Sequence, residues 1–431
     1  MAGCLAINGG NKTVTAAPDD LFTWPIVTGE DEAAVLDVLR RGAMSSADVT
    51  RQFEAEMGKW MEMPHTLAVC NGTAGLQAAM WACGVGAGDE IICPSVTYWA
   101  SGLPALALGA AIHFCDIDPV TLCLDPRDIE HRIGPRTKAI VAVHYCGHPC
   151  DMDAILAIAR KHGVKVIEDV SHAQGGLYKG RMTGTMGDIA VMSLMSGKSF
   201  PIGEGGMIVT RDKQLWERCV AFGHYERTGV STAWAGNSQA LSDPELTPYS
   251  GLPIFGAKHR MNQTCAAMGR VQLRHYPARI AEIQRAMNRF WDLLEGVPGL
   301  RAHRTSPESG STMAGWYSPH GIYNAAELGG LPCGKFCEAV TAEGVVCLRG
   351  ANFPLHLHSL FHTGDIFRMG KPTMIAFGQR DVRQGPGSLP VAESINDIAF
   401  SIPWFKKDRP EQIAEYAQAY RKVAEHAAEL T

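Results

Sequence analysis

From Thr66 to Val209 the chain alternates short apolar runs with stretches of helical periodicity. Residues 66–70, 90–93, 111–115, 139–144, 164–169 and 189–193 have the length and apolar density of buried strands. Residues 73–83 and 152–162 repeat apolar positions at helical spacing. Strands alternating with helices in this way predict an α/β fold with a mostly parallel sheet covered on both faces. Ligands of such sheets bind beyond the carboxyl ends of the strands. Asn71, Asp169 and Lys198 all fall at or after predicted strand ends, so the pattern itself draws them toward one edge.

Outside this region the signals are sparser. Residues 30–41 have helical spacing with acids in the first turn, as a helix start favours. Residues 222–255 lack periodicity and carry Gly229, Gly236, Pro244, Pro248 and Pro253, which predicts a long surface loop or insertion. A helix is predicted from 266 to 276, resuming from 280 to 294 and bridging into a smaller α/β unit. Another is predicted over 410–430. A length of 431 residues exceeds one ordinary core. The expected division is an N-terminal arm (1–20), a large domain (21–278, with the insertion at about 226–255) and a small C-terminal domain (279–431).

Composition narrows the function classes. Hydrophobic residues make up 46% and charged residues 19%, as in a packed globular protein. The net charge is −5 with no long basic run, which argues against a nucleic-acid partner. No basic leader precedes an apolar core, and no apolar run nears the roughly 20 residues of a membrane span. The expectation is a cytoplasmic protein without a membrane partner. Thirteen scattered cysteines, several in apolar stretches, read as reduced and mostly buried. Cys146 with Cys150, and Cys333 with Cys337, lack the second ligand pair of a zinc site, so no metal is expected. His356 and His358 would share a face on a strand, but no carboxylate or cysteine accompanies them, and they read as part of a small-domain wall near the active site.

The candidate chemistry centres on Lys198. It closes the stretch Ser193-Leu-Met-Ser-Gly-Lys198, with Gly203-Glu204-Gly205-Gly206 just beyond, and the run 164–167 upstream ends in Glu168-Asp169. An acid at a strand end, a hydroxyl and a lysine among small residues are what pyridoxal phosphate requires. The amine forms a Schiff base with the aldehyde, a carboxylate keeps the pyridine nitrogen protonated, and a hydroxyl binds phosphate. Apolar neighbours such as Phe200, Pro201 and Ile202 would lower the lysine pKa. Asn71-Gly72-Thr73, between a strand and a helix, offers close backbone approach, a hydroxyl and helix N–H groups to an anion. A plain turn with Thr73 as N-cap is the alternative. Asp169 could equally be a helix cap or a surface acid, and Glu168 would point to the other face of its strand.

These stretches resemble the sugar aminotransferases of the DegT/DnrJ/EryC1/StrS family. The likeness is carried by Asn71-Gly-Thr-Ala-Gly-Leu76, Pro94-Ser-Val-Thr-Tyr98, Asp116-Ile-Asp-Pro119, Glu168-Asp-Val-Ser-His-Ala-Gln-Gly175, Ser193 to Lys198 and Gly203 to Gly206. Arg260-Met261, Gly269-Arg-Val-Gln-Leu273, Leu389-Pro390, Glu393 and Ile402-Pro403 extend it from about Ala6 to about Pro403, weakest over 226–255. The resemblance implies the type I aminotransferase fold, with a seven-stranded-type sheet in the large domain, and a homodimer with sites at its interface. It implies pyridoxal 5'-phosphate as cofactor and transfer from glutamate or glutamine to a keto-sugar, nucleotide-linked or not, or to a cyclitol ketone. It assigns Gly72, Thr73 and Ser193 to the phosphate, Asp169 to the ring nitrogen, His172 to the phenolic oxygen and Tyr98 to the ring face, with Trp99 as competitor. Core packing remains the alternative for both aromatics, and a structural role for His172. A lysine at 198, where a dehydrating branch has histidine, implies transamination.

One departure stands out. The family's Gly-Tyr-Asn-Tyr is here Gly256-Ala257-Lys258-His259, with Lys258 at the asparagine that reaches the partner subunit's phosphate. A lysine can keep that role as a point charge, or it can face a charged substrate or solvent. Two other readings stay open: another PLP lyase, dehydratase or epimerase acting on sugars, and a non-catalytic PLP-binding regulatory protein. The intact Asp169, Ser193 and Lys198 argue against the second.

Overall fold

The computed structural model describes residues 4–16, 20–228 and 241–431. Parts of the expected arm (1–3 and 17–19) and of the expected insertion (229–240) lie outside the described residues. Six strands follow the apolar runs: β1 (His65–Val69), β2 (Glu90–Pro94), β3 (Ala111–Cys115), β4 (Thr137–Val143), β5 (Lys165–Asp169) and β8 (Ile189–Ser193); the hairpin β6 (Leu177–Tyr178) and β7 (Arg181–Met182) and the strand β9 (Gly206–Thr210) are additional to them. All but the hairpin form one seven-stranded sheet in the order β1-β9-β8-β5-β4-β2-β3. Only β9 runs against the rest. The protein is therefore α/β with a mostly parallel sheet. The central strands are buried on both faces, which is why they read as continuous apolar runs rather than alternations.

A second sheet of β10 (Leu300–Ala302), β11 (His320–Tyr323) and β12 (Ala399–Ser401) is antiparallel. It packs with the helices Cys333–Ala342 and Pro410–Glu425 around Trp291, Phe336, Phe400, Phe405 and Tyr420. The C-terminal helix is shorter than its periodicity suggests and yields to a single 3₁₀ turn, Ala427–Glu429.

Two local expectations need correction. The break expected near Pro277 is absent: one helix runs from Gln263 to Leu293 with the proline inside. A mid-helix proline costs about 3 kcal/mol. Tyr276, Ile280, Ile283, Met287 and Phe290 are all buried around it, at about 1.5–3 kcal/mol each, so packing outweighs the lost hydrogen bond. His356 and His358 lie not on a strand but on and just after a 3₁₀ turn, Leu355–Leu357. There His356 bridges Ser95 Oγ (2.7 Å) and Glu393 Oε1 (3.0 Å). The described part of the expected insertion is docked on the large domain's helix Lys213–Gly223. Glu217 accepts from the Ser242 and Asp243 backbone N–H groups, both at 2.9 Å, and Phe255 stacks on Phe222 at 4.6 Å.

All thirteen cysteines are free, most of them buried. Among the described residues no cluster of three His, Cys, Asp or Glu side chains could hold a metal ion. No described helix is long and apolar enough to cross a membrane.

The end of β5 shows how strand period serves the site. Alternation sends Glu168 and Asp169 to opposite faces. Glu168, fully buried, accepts from the backbone N–H groups of Gly184, Met186 and Gly187 and pairs with His144 Nε2 at 3.0 Å. Burial opposes its charge, but His144 and the backbone donors hold its pKa below the ordinary value. Its stabilisation is therefore present at neutral pH and lost as pH falls below about 4. Glu168→Gln would set an amide donor among donors. It should lower stability by about 2–4 kcal/mol in urea unfolding at neutral pH. An unchanged midpoint would show that this carboxylate does not anchor the 184–187 turn.

Candidate active site

The helix Gly72–Ala82 begins three residues after β1 ends, and its N-cap is Asn71 rather than Thr73. Asn71 Oδ1 accepts from Ala74 N–H (2.8 Å) and its carbonyl from Gly75 N–H (3.2 Å). The first N–H groups of a helix have no intrahelical acceptor, so those of Gly72 and Thr73 remain for a ligand. Glycine at 72 is a packing necessity. A Cβ there would lie 2.9 Å from Ser193 Cβ, at the end of β8. At Gly206 it would lie 2.7 Å from the Asn71 backbone. These two close approaches bring the helix start and Ser193 to one wall.

Asp169 ends β5 between β4 and β8. Ser101 Oγ donates to its Oδ2 (2.8 Å), and Ser171 N–H donates to its Oδ1 (3.1 Å). Ser171 Oγ in turn accepts from Ser193 N–H at 3.0 Å. Beyond β8, Gln174 fixes the lysine loop: its Nε2 donates to the Ser193 carbonyl (2.7 Å) and its Oε1 accepts from Ser199 Oγ (2.6 Å). Trp24, from the N-terminal stretch, donates its indole N–H to the Lys198 carbonyl at 2.8 Å.

Lys198 is only 7% exposed. Burial pushes its pKa down to about 8, against the opposing pull of Asp169. His172 is buried and held well below its ordinary pKa, first by burial and then by the charge of Lys198. Its Nδ1 accepts from the Cys146 backbone N–H (3.2 Å), so the neutral ring carries its proton on Nε2 and can donate there. Tyr98 is 47% exposed and Trp99 42%, so neither is a core residue, and their rings touch at 4.9 Å.

Gly72, Thr73, Tyr98, Asp169, His172, Ser193 and Lys198 all line one cavity of about 440 Å³. That volume lies within the range of small-molecule sites. Trp99 does not line it, and neither does Lys258, which is exposed on its own chain. The reading of the motifs missed Ser101, Tyr317, Ser318 and Asn352 in the same wall. The last three belong to the C-terminal part of the chain, and no local motif marks them. Ser101 carried a signal only in following the Tyr98 segment.

The cavity fits pyridoxal phosphate by its donor set: two uncommitted helix N–H groups with a hydroxyl, a carboxylate fixed by two donors, a neutral imidazole donor and a buried amine.

Comparison with known proteins gives the same direction. The DegT/DnrJ/EryC1/StrS aminotransferase family matches residues 25–368. An L-glutamine:2-deoxy-scyllo-inosose aminotransferase of Streptoalloteichus tenebrarius is 33% identical over 374 residues, 83% of each chain. A GDP-perosamine synthase of Escherichia coli O157:H7 is 36% identical over 250 residues, 58% of this chain and 64% of that protein. Among solved structures, an aminotransferase from Psychrobacter cryohalolentis superposes with a TM-score of 0.79 at 29% identity, covering 95% of this chain and 99% of that one.

The Lys198 amine should titrate near pH 8 in the cofactor-free chain, against about 10.4 for an unperturbed lysine. Acylation of Lys198 by an amine-reactive ester, followed by peptide mass spectrometry across pH, reads the midpoint. A midpoint at the unperturbed value would show that the amine is not desolvated.

Proposed function

The chain belongs to the DegT/DnrJ/EryC1/StrS aminotransferase family, and on that premise we propose that it moves the amino group of glutamate or glutamine to a ketone of a sugar, free or nucleotide-linked, or of a cyclitol. Family membership makes it a pyridoxal phosphate-dependent aminotransferase. The donor and acceptor classes are supported by the relatives, one named for L-glutamine and an inosose and another for a GDP-linked sugar. The observation that carries the reading is the buried Lys198 amine, its pKa brought to about 8, in one cavity with Asp169.

When bound, the cofactor supplies an aldehyde that takes up the amino group and a protonated ring that accepts an electron pair. The chain's own residues do the rest. Gly72 and Thr73 N–H groups and the Ser193 hydroxyl would hold the phosphate. Asp169, kept in place by Ser101 and the Ser171 N–H, would keep the ring nitrogen protonated by opposite charge. His172 would donate from Nε2 to the phenolic oxygen, and Tyr98 would cover a ring face. Lys198 Nζ would take the proton from the donor's α-carbon, and in the second half return one to the acceptor carbon that bore the ketone. A pKa near the working pH suits a group that must act both as base and as acid.

Lys258 is proposed to serve the partner subunit of a homodimer. It is exposed and outside its own chain's cavity, and a cation at this position would pair with phosphate by a charge-assisted contact.

The function is tested by incubating the pyridoxal phosphate form with a panel of amino acids and the resulting amino form with keto-sugars and inososes. Glutamate or glutamine should convert the first, and a sugar or cyclitol ketone should restore it. Restoration only by 2-keto acids would contradict the acceptor class. Asp169→Asn should retain some cofactor and lose about 10²-fold or more in kcat. A rate near wild type would remove Asp169 from its role.

Lys258→Ala should weaken cofactor affinity about tenfold or more, with Lys258→Asn recovering much of it. In hybrids of Lys198→Ala with Lys258→Ala subunits at limiting cofactor, one site carries both defects and the other neither. Activity above both parents is therefore expected. Hybrids no better than the parents would place the Lys258 contact within its own chain or in solvent.

A further inference from the structure

The amine of Lys198 meets an aromatic face. Its Nζ lies 4.1 Å from the centroid of the Tyr317 ring. Tyr317 also lines the cavity and is flanked by two other rings. His172 flanks it at 4.6 Å, and Trp404 meets it edge-on at 5.7 Å and 89°. The backbone on either side is strained: Ala314, Trp316 and Ser318 have φ of +50°, +53° and +49°, the left-handed region that side chains rarely adopt.

Surrounding contacts hold this conformation. Trp316 is buried, and Trp404 Nε1 donates to the Gly315 carbonyl at 2.8 Å. A Cβ on Gly315 would lie 2.4 Å from Ser199 Cβ, the residue after Lys198. The strained segment thus packs directly against the lysine loop, and the ring it presents covers the lysine amine.

We propose that the face of Tyr317 is the seat of the Lys198 amine whenever that amine is not bonded to the cofactor: a cation–π contact that holds the ammonium form and aims it at the cavity. Tyr317 is then a positioning residue for proton transfer. The inference rests on Lys198 being the reacting lysine.

An aromatic face attracts an ammonium through its quadrupole, most strongly where water is excluded. The other groups around the amine are the Asp169 carboxylate, the neutral His172, the Cys146 thiol and Glu204 in the same cavity wall. Among the described residues no salt bridge engages Lys198 Nζ, and the ring face meets it directly at 4.1 Å. A released lysine needs such a seat. Without one, once Lys198 has taken up a proton, its long flexible side chain in a cavity of this size would lose its alignment with the carbon to which the ammonium must deliver it.

The full chain can test this at position 317. Tyr317→Phe keeps the face and loses only the hydroxyl. Phenylalanines carrying one, two and three ring fluorines keep the shape while draining the face of negative charge. Tyr317→Leu removes the face altogether. The readout is the pH midpoint of Lys198 acylation in the cofactor-free chain, with kcat and KM of the loaded enzyme beside it.

Tyr317→Phe should hold the midpoint within about 0.3 pH unit. The fluorinated rings should lower it stepwise, and Tyr317→Leu should lower it by about one unit, a roughly tenfold gain in free amine at low pH. Loss should fall on kcat rather than KM. A midpoint indifferent to fluorination, or a Tyr317→Phe chain as shifted as the most fluorinated one, would overturn the proposal without relying on whether Tyr317→Leu folds. Covalent capture of pyridoxal phosphate by Lys198→Ala would overturn it separately, by removing the lysine from the chemistry.

Discussion

A lysine amine kept out of water at the carboxyl edge of a parallel sheet is the constraint to which the rest of this site answers. Burial works against the ammonium form, and a carboxylate in the same cavity and an aromatic face over Nζ work for it. The balance leaves a group that can be base or acid near neutral pH. Water excluded from the amine strengthens every electrostatic contact around it. The same exclusion demands a loop of small residues, because the Lys198 segment must fold tightly against the helix start and the strained Tyr317 segment.

The surrounding fold supplies that confinement from distant parts of the chain. Trp24 pins the lysine carbonyl, Ser101 pins Asp169, Gln174 ties the strand end to Ser199, and Tyr317 with Trp404 closes the far side. Strand period does a quieter part. One residue of β5 turns toward the cavity as Asp169, while its neighbour Glu168 turns away and fastens the 184–187 turn with three backbone hydrogen bonds. Cavity lining and local stability are thus carried by adjacent residues on opposite faces.

Much of this was legible in the chain. Six of the seven strands of the large sheet showed because strands buried on both faces must be continuously apolar, β9 being the one not read, and the residues of the cavity floor showed because parallel sheets gather them at one edge. Asp169, Ser193 and Lys198 needed no long-range information. Tyr317, Ser318 and Asn352 did, since nothing local tells a residue more than a hundred positions on that it will close over a lysine. The unbroken helix through Pro277 was hidden for a related reason: the proline signal is local, whereas the burial that overrides it is tertiary. Likewise the period-two reading of His356 and His358 assumed a strand where the chain makes a 3₁₀ turn. Lys258, whose proposed contact lies on a second subunit, has no partner that one chain's geometry could reveal.

The central claim is that Lys198 is the residue joined to the cofactor. The structure contains a rival: Lys406 is also buried, packed on Trp24 and Trp404, with its pKa driven down to about 5 by burial. It lies outside the cavity lining, whereas Lys198 lies within it. The direct measurement is to fix the holoenzyme with borohydride, digest it and locate the phosphopyridoxyl group by mass spectrometry. The account predicts a single modified peptide carrying the group on Lys198. Modification of Lys406 or any other lysine in its place would contradict it.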